Sequence, residues 1–386
     1  MKKIGILIDR LNVGGVEKIA IEEVRALRNL GEDASLVVLR RKGVIDSDFL
    51  DLRKNLPTIY LDDRLPSFLK FSFKFPVFNF FSLFHITYPF LIPFVIRKNE
   101  FDYIIVHGTY TAFTAIGIKK MKKIRYSVFI WDPIGYILTK VYSKNLSFFL
   151  NVFIKLAKFL DKKIVNNSDV ILAGGDAHND YIRKINPNTS IRIFPPSVHP
   201  LKKITRDKKN YILMVTAWKR GKNPEYIFDL IKKIPQIKIK MVGKWLDASY
   251  KKEFQEKMRK NNFLKNVDIV GEVSEKELSN YYSQAIVLLQ TNDDRGFGMP
   301  ALEAASNGTT FIIPGGQGVC NLFKNKIDGF YTKEQDTKAI IHYLNKLINN
   351  KNQSIRMGKH AWETVKNYTW QKHAEKLIRI SKIYAK

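Results

Sequence analysis

IVLLQTNDDRGFGMPALEAASNGTTFIIP, residues 286–314, decides how the rest of the chain is read. The apolar run Ile286–Leu289 predicts a buried strand. A polar loop, Gln290–Gly298, follows and ends in Gly296-Phe297-Gly298. A helix-period segment then runs from Met299 to Asn307, and Gly308 beyond it suits a left-handed helix end. A second β-rich run, Thr309–Ile313, comes at once. Strand, glycine loop, helix and strand in that order make one βαβ unit. Its loop lies at the strand's carboxyl end, where open α/β sheets bind ligands. Glu303 falls about one turn into the helix, where its carboxylate can reach a hydroxyl held at the loop.

Outward from this unit the same alternation continues, which predicts parallel α/β sheets. Strand-like runs in the first half are Lys3–Ile8, Ala34–Leu39, Tyr103–His107, Tyr126–Ile130, Asp169–Ala173 and Ile191–Phe194. In the second half they are Tyr211–Thr216, Ile237–Val242, Val267–Gly271, Ile286–Leu289 and Thr309–Ile313. A helix is expected from about Gly15 to Leu30, stopped by Gly31. Another begins at Ser274, where Glu277 three residues on completes a capping box. The stretch Pro195–Asn210 carries three prolines and a basic run and separates two doubly wound sets of elements. The expected domains are residues 1–199 and 200–366, with 367–386 as a final apolar-faced helix that needs a surface to pack on. The fold class is α/β with two doubly wound domains.

At 386 residues the chain is long enough for two full cores. The one cysteine, Cys320, excludes an intrachain disulfide framework and fits a reducing compartment. The N-terminus has an apolar run too short for a signal peptide, ended by Asp9 and Arg10. Lysine and arginine number 65 against 36 acidic residues, a net charge of +29 that attracts polyanions, anionic lipid or phosphorylated small molecules. Part of that charge is expected simply to solvate the surface. No nucleic-acid-binding motif accompanies it, so no nucleic-acid partner is expected.

Two segments break the alternation. Arg64–Lys98 holds 10 of the 26 phenylalanines, four prolines and no acidic residue. Ile137–Ile164 mixes Phe148, Phe149, Phe153, Ile154, Leu156 and Leu160 with Lys140, Lys144, Lys155, Lys158, Lys162 and Lys163. Basic and aromatic helices of this kind suit an anionic membrane interface; the same residues equally suit a helical layer over the first sheet. The prolines count against a transmembrane span.

Three further places carry chemistry. Gly14-Gly15 follow the first strand, where backbone N–H groups at a helix N-terminus favour anions. The G-x-G-x-x-G of a nicotinamide enzyme is absent there. After the second domain's first strand comes Trp218-Lys219-Arg220-Gly221-Lys222-Asn223-Pro224, a cationic loop suited to clamping a departing diphosphate. His107 ends its own strand, where a histidine is more often a hydrogen-bonded structural residue than a functional one.

Taken together these residues resemble the family-4 retaining glycosyltransferases, whose two Rossmann-like domains face a cleft in the GT-B arrangement. The resemblance covers nearly the full length. It implies that Gly14 and Gly15 lie under the donor diphosphate, that Lys222 binds phosphate with Lys219 and Arg220 beside it, and that Gly271-Glu272-Val273 contact the nucleobase through backbone. Gly296-Phe297-Gly298-Met299-Pro300-Ala301-Leu302-Glu303-Ala304 is similar to the family's most specific signature, which implies donor contacts for Phe297, Gly298 and Met299 and a ribose contact for Glu303. The final helix starting at Thr369-Trp370 looks like the family's return to the first domain. The chain departs from the pattern at three points. Arg295, preceded by Asp293 and Asp294, stands where the family has a sugar-facing glutamate, so Asp294 and Arg295 are carried as catalytic candidates. Ala217 replaces a phosphate arginine, and Trp131 a histidine that the family often has near the transferred sugar, so its neighbour Asp132 and the strand-end His107 are carried as catalytic candidates.

What the resemblance implies is metal-independent, retaining transfer of a hexosyl group from a nucleotide-diphosphate donor. The acceptor is expected to be a glycan or lipid-linked, met at the cytoplasmic face of the cell membrane by a peripheral, cytoplasmic protein. No cofactor beyond the donor is expected, and no metal ligand cluster is visible. Two alternatives stay open: a nucleotide-sugar epimerase of the same fold, and a non-catalytic nucleotide- or polyanion-binding subunit.

Overall fold

The apolar runs form parallel strands in two separate sheets. The structure is a computed structural model that describes every residue except 12–13, 42–53, 70–73, 76–77, 143–147, 292–295, 334–335 and 386. The chain divides into one unit of Met1–Pro196 with Trp370–Lys386 and a second of Ser197–Thr369.

The first unit begins with β1 (Lys3–Ile8), β2 (Asp33–Val38) and β3 (Thr58–Tyr60). A short antiparallel pair, β4 (Lys74–Phe75) and β5 (Phe78–Ser82), stands apart from the sheet. Then come β6 (Tyr103–His107), β7 (Arg125–Phe129), β8 (Val170–Ala173) and β9 (Ile191–Ile193). The seven-stranded sheet has the order β3-β2-β1-β6-β7-β8-β9. Its helices are α1 (Gly15–Asn29), α2 (Leu83–Val95), α3 (Thr109–Lys122), α4 (Ile134–Tyr142), α5 (Phe148–Asn167) and α6 (Asn179–Ile185). Strands β1, β6 and β7 are buried along nearly their whole length, as a sheet covered on both faces requires.

The second unit repeats the plan. Strands β10 (Ile212–Val215), β11 (Ile239–Val242), β12 (Val267–Gly271), β13 (Val287–Leu289), β14 (Phe311–Pro314) and β15 (Phe330–Thr332) form a parallel sheet ordered β12-β11-β10-β13-β14-β15. Around it lie α7 (Ile227–Lys233), α8 (Ala248–Lys260), α9 (Glu275–Gln284), α10 (Met299–Ser306), α11 (Thr337–Asn349) and α12 (Lys351–Val365). The chain then returns to the first unit as α13 (Trp370–Tyr384), which packs on α1. Ala374, Leu377 and Ile380 of α13 are buried there, which supplies the surface its apolar stripe needs.

Strand order reverses between β1 and β6 in the first sheet and between β10 and β13 in the second. Because βαβ crossovers are right-handed, the helices on either side of such a point splay to opposite faces and leave a crevice at the carboxyl ends. The Gly14-Gly15 turn follows β1 and His107 ends β6. The Lys219–Lys222 loop follows β10, and the glycine loop to α10 follows β13. Sequence motifs and switch points therefore coincide within each unit.

Each of the two irregular segments contains a helix with a buried and an exposed side. In α2, Tyr88 and Ile92 are buried while Phe90 and Phe94 are exposed. Pro89 and Pro93 both lie inside this helix. Pro93 has no N–H for the carbonyl four residues back, which is that of Pro89. Gly117 of α3 packs on this carbonyl, and a Cβ at Gly117 would collide with it. On α5, Ile154, Ala157 and Ile164 are buried, while Val152, Leu156 and Phe159 are exposed. The segment is thus neither all core nor all surface. No helix among the described residues is long and apolar enough to cross a membrane.

Candidate functional site

In the second unit the site is built from the ends of β10, β12 and β13. Gly298 caps α10 with φ +90, a left-handed conformation that favours glycine. A Cβ there would also strike the Gln317 side chain and approach Val319 Cγ1 to 2.8 Å. The loop is fixed from the other side, since Val319 N donates to the Phe297 carbonyl at 2.7 Å. Phe297 is buried under this contact. Glu303, one turn into α10, is half-buried. Its Oε2 accepts from the Tyr282 hydroxyl at 2.8 Å. Burial first, then the adjacent Glu303 carboxylate, raises the Tyr282 phenol well above its ordinary range, so it stays a donor.

The cationic loop after β10 contains a short 3₁₀ turn, Arg220–Lys222, with Asn223 left-handed at φ 46 before Pro224. Lys222 is half-buried. Burial, with Lys219 nearby as the lesser cause, lowers its ammonium to about 8. Lys219 is exposed beside it. Arg220 points elsewhere: its Nη2 lies 2.7 Å from Glu253 Oε2, and its guanidinium lies 4.5 Å over the Tyr250 ring. The expected cationic trio is therefore graded, because Arg220 is already compensated by a carboxylate. At the end of β12, Gly271 has φ +84 and its carbonyl accepts from Gly243 N at 2.7 Å. Glu272 pairs with Lys244 at 3.8 Å. Val273 leads into α9, whose Ser274–Glu277 capping box is formed in full.

In the first unit, Gly14 is the N-cap of α1 with φ −170, ordinary extended backbone, and Gly15 opens the helix. The Glu17 carboxylate folds back against Gly14. His107, a catalytic candidate, has a wholly buried side chain, and its Nε2 lies 2.7 Å from Glu23 Oε2. His373 of α13 reaches the other oxygen of Glu23 at 2.8 Å. Burial alone would raise the Glu23 carboxyl, but the two imidazoles outweigh it and hold it down to about 2. His107 also stacks on Phe129 with ring centroids 4.6 Å apart, and Phe129 on Trp131 at 5.2 Å. The histidine at the strand end thus joins α1, β6 and α13 and does not touch solvent. Asp132 is half exposed, with Oδ1 3.5 Å from His178 Nε2. Asp294 and Arg295 lie outside the described residues, as does Asp293.

Sequence reasoning missed Tyr282, Glu23, His373 and His178. Only Tyr282 left a signal, an aromatic on the inward face of the capped helix. The other three gain their partners from elements far along the chain. Among the described residues no group of three or more His, Cys, Asp or Glu side chains is placed to hold a metal ion.

Comparison with known proteins follows the same division. The family model described as Glycosyltransferase Family 4 matches residues 13–200, and that described as Glycosyl transferases group 1 matches residues 200–364. The chain belongs to glycosyltransferase family 4. This family-4 chain is similar to the D-inositol 3-phosphate glycosyltransferase of Corynebacterium urealyticum, 22% identical over 58% of each chain. It spans between 45% and 58% of the length of the curated relatives it matches. Its fold is like that of sucrose-phosphate synthase from Thermosynechococcus elongatus, with TM-score 0.79, 16% identity, and coverage of 99% and 98% of the two chains. It is also like Anabaena HepE, solved in complex with UDP and glucose, with TM-score 0.72, 14% identity, and coverage of 98% and 99%. The family-4 chain shares with these GT-B structures two parallel α/β units.

Proposed function

We propose that this chain transfers a sugar from a nucleotide-diphosphate donor to a glycan or lipid-linked hydroxyl, keeping the anomeric configuration. The observation that carries the reading is a pairing at one switch point. Lys222 follows β10, Glu303 follows β13, and β10 and β13 are hydrogen-bonded neighbours. A cation and a tyrosine-held carboxylate on adjacent strand ends suit the two hydrophilic parts of such a donor. Lys222, with Lys219, neutralises the charge that builds on the departing diphosphate. Glu303 accepts from the ribose hydroxyls while Tyr282 keeps it in place. Backbone at Gly271, Glu272 and Val273 meets the base, and Phe297, Gly298 and Met299 shape the loop beneath the phosphates. The solved HepE complex holds UDP and glucose, which supports a nucleotide donor here.

The departing phosphate oxygen takes the acceptor proton on the face from which it leaves, so no second protein carboxylate is required. Lysine charge replaces a metal in this reading, and transfer is expected to survive chelation. The acceptor side belongs to the first unit. Helix α3 packs against both α2 and α5. Phe90 and Phe94 of α2 are 69% and 72% exposed, and Leu156 and Phe159 of α5 are 42% and 52% exposed. Lys155, Lys158, Lys162 and Lys163 flank the α5 stripe and are exposed. Apolar groups edged by lysines match an anionic bilayer surface, which supports peripheral binding at the cytoplasmic membrane face.

The test incubates the protein with UDP-, GDP-, ADP- and CDP-sugars and an acceptor panel in phosphatidylglycerol vesicles, with and without EDTA. Transfer with retained configuration by NMR is expected. Turnover of donor to an epimer without acceptor, or nucleotide binding with no transfer across the panel, would refute it. Absence of vesicle binding at low salt removes the membrane part alone.

A further inference from the structure

One buried cation of the second unit stands outside the proposed donor contacts. Lys208, in the segment that leads into β10, is 5% exposed. Its Nζ donates to the Ser283 carbonyl at 2.7 Å, the Gly308 carbonyl at 3.0 Å and the Thr309 hydroxyl at 2.6 Å. An ammonium has three N–H donors, and here each meets one oxygen. None of these oxygens belongs to a carboxylate. Burying an ammonium among neutral groups is costly, and burial lowers Lys208 to about 7. Its position offsets that cost. Ser283 lies in the last turn of α9, and Gly308 stands just beyond the end of α10. Carbonyls at helix C-termini lack intrahelical partners and carry partial negative charge, so one cation serves the ends of two helices.

Those two helices carry the pair assigned to the ribose. Tyr282 of α9 donates to Glu303 of α10 at 2.8 Å. Lys208 reaches this pair through one residue. Thr309 has a single hydroxyl proton. Because Lys208 donates to its oxygen, that proton is directed to the Tyr282 carbonyl, 2.6 Å away. Tyr282 is 1% exposed, so its close-packed ring follows its backbone. A shift of the Tyr282 carbonyl therefore moves its phenol against Glu303. A second tie joins the same helices: Ser279 Oγ donates to Asn307 Oδ1, and Asn307 Nδ2 donates to the Glu303 carbonyl at 2.8 Å. The segment that carries Lys208 is anchored at the same place. Its Ile204 lies over Gly308, where a Cβ would come within 2.6 Å of it.

We propose that Lys208 is a positioning residue for Glu303: through Thr309 and the Tyr282 carbonyl it fixes the Tyr282–Glu303 pair, and so sets affinity for the nucleoside part of the donor without touching it. This rests on the ribose contact proposed above for Glu303. The Lys208 side chain is enclosed, and the role requires no ligand to reach it. The relay bears on the nucleoside alone, because the phosphates fall to Lys222, on the loop after β10.

The experiment measures calorimetric affinities for UDP, GDP, ADP, CDP and pyrophosphate in the native protein, Lys208→Met, Thr309→Val and Thr309→Ser. In parallel, ligand-free protein labelled with ¹³C-tyrosine gives the Tyr282 ring peak, identified by its loss in Tyr282→Phe. Affinity for the tightest nucleotide should fall at least threefold in Lys208→Met and in Thr309→Val, while pyrophosphate affinity stays unchanged. Thr309→Ser, which keeps the hydroxyl, should restore the native value. The Tyr282 peak should be displaced in the first two variants only. Thr309→Val combined with Tyr282→Phe should bind no more weakly than Tyr282→Phe alone, because both break the same relay. Equal losses for nucleotide and pyrophosphate, additive losses in the double variant, or unchanged nucleotide affinity in folded variants overturn the positioning role. Where Lys208→Met does not fold, the two Thr309 variants decide. An unmoved Tyr282 peak overturns the relay whether or not nucleotide binds. A displaced peak in a protein that binds none of the nucleotides counts against the proposed donor alone.

Discussion

Glu23→Gln tests the most heavily buried charge in the first unit. Glu23 is 0% exposed and accepts from His107 and His373 through its two oxygens. Glutamine has the same shape but one acceptor and one donor, so one imidazole N–H then faces an amide N–H. Holding the carboxyl at about 2 against an ordinary 4.5 corresponds to about 3 kcal/mol favouring the ionised form in the folded state. Removing one member of a buried pair costs about 3–5 kcal/mol in other proteins, which agrees. A unit of this size loses about 2–4 °C per kcal/mol, so melting of the first unit should drop by roughly 6–12 °C. The assay is thermal unfolding combined with hydrogen exchange on peptides from α1 and α13, which reads this unit separately from the other. The sign with pH is fixed by the lowered value. The stabilisation is complete above about 4.5 and is lost as pH falls toward about 2. Native protein should therefore lose stability through the acid range from this source, and Glu23→Gln should lack that part of the slope. A variant within about 1 kcal/mol of the native protein, or one with the same acid slope, would refute the reasoning.

Gly117→Ala forces α2 and α3 apart at the Pro89 carbonyl; a loss of about 1–3 kcal/mol is expected in urea unfolding, and a neutral result removes the close-packing argument. Tyr282→Phe frees Glu303 Oε2 from its 2.8 Å partner. UDP affinity in calorimetry should fall by about fivefold, the cost of roughly 1 kcal/mol of hydrogen bond, while pyrophosphate affinity stays unchanged. Equal losses for both ligands would place Glu303 away from the ribose. Because Lys222 is lowered to about 8, its charge is lost as pH rises through that value. UDP binding should weaken above pH 8 in the native protein and hold to higher pH in Lys222→Arg; a flat native profile would take Lys222 out of the phosphate contact.

The sequence legibly contained every central strand of both sheets, because strands buried on both faces must be apolar runs of fixed length. It contained the α10 loop for a similar reason, since Gly298 at φ +90 cannot be replaced by a branched residue without strain. The edge strands β3 and β15, three residues each, were not read. Glu303 and Lys222 could be placed from their local setting, on a helix and on a loop at strand ends. The state of Arg220 could not, because Glu253 approaches it from another helix.

Local chemistry thus fixed the alternation, the glycine turns, the capped helix and the residues at the strand ends, each decided by neighbours a few positions away. Only the tertiary structure turned His107 inward, since Glu23 meets it from 84 residues earlier and is itself held through its other oxygen by His373, 350 residues beyond Glu23. The same holds for the two characters of α2 and α5: period shows that a helix has two faces, but which apolar face is covered depends on the helix that packs there. Burial is a property of the assembled layers, and a one-dimensional pattern can supply apolar side chains without determining which of them remain in water.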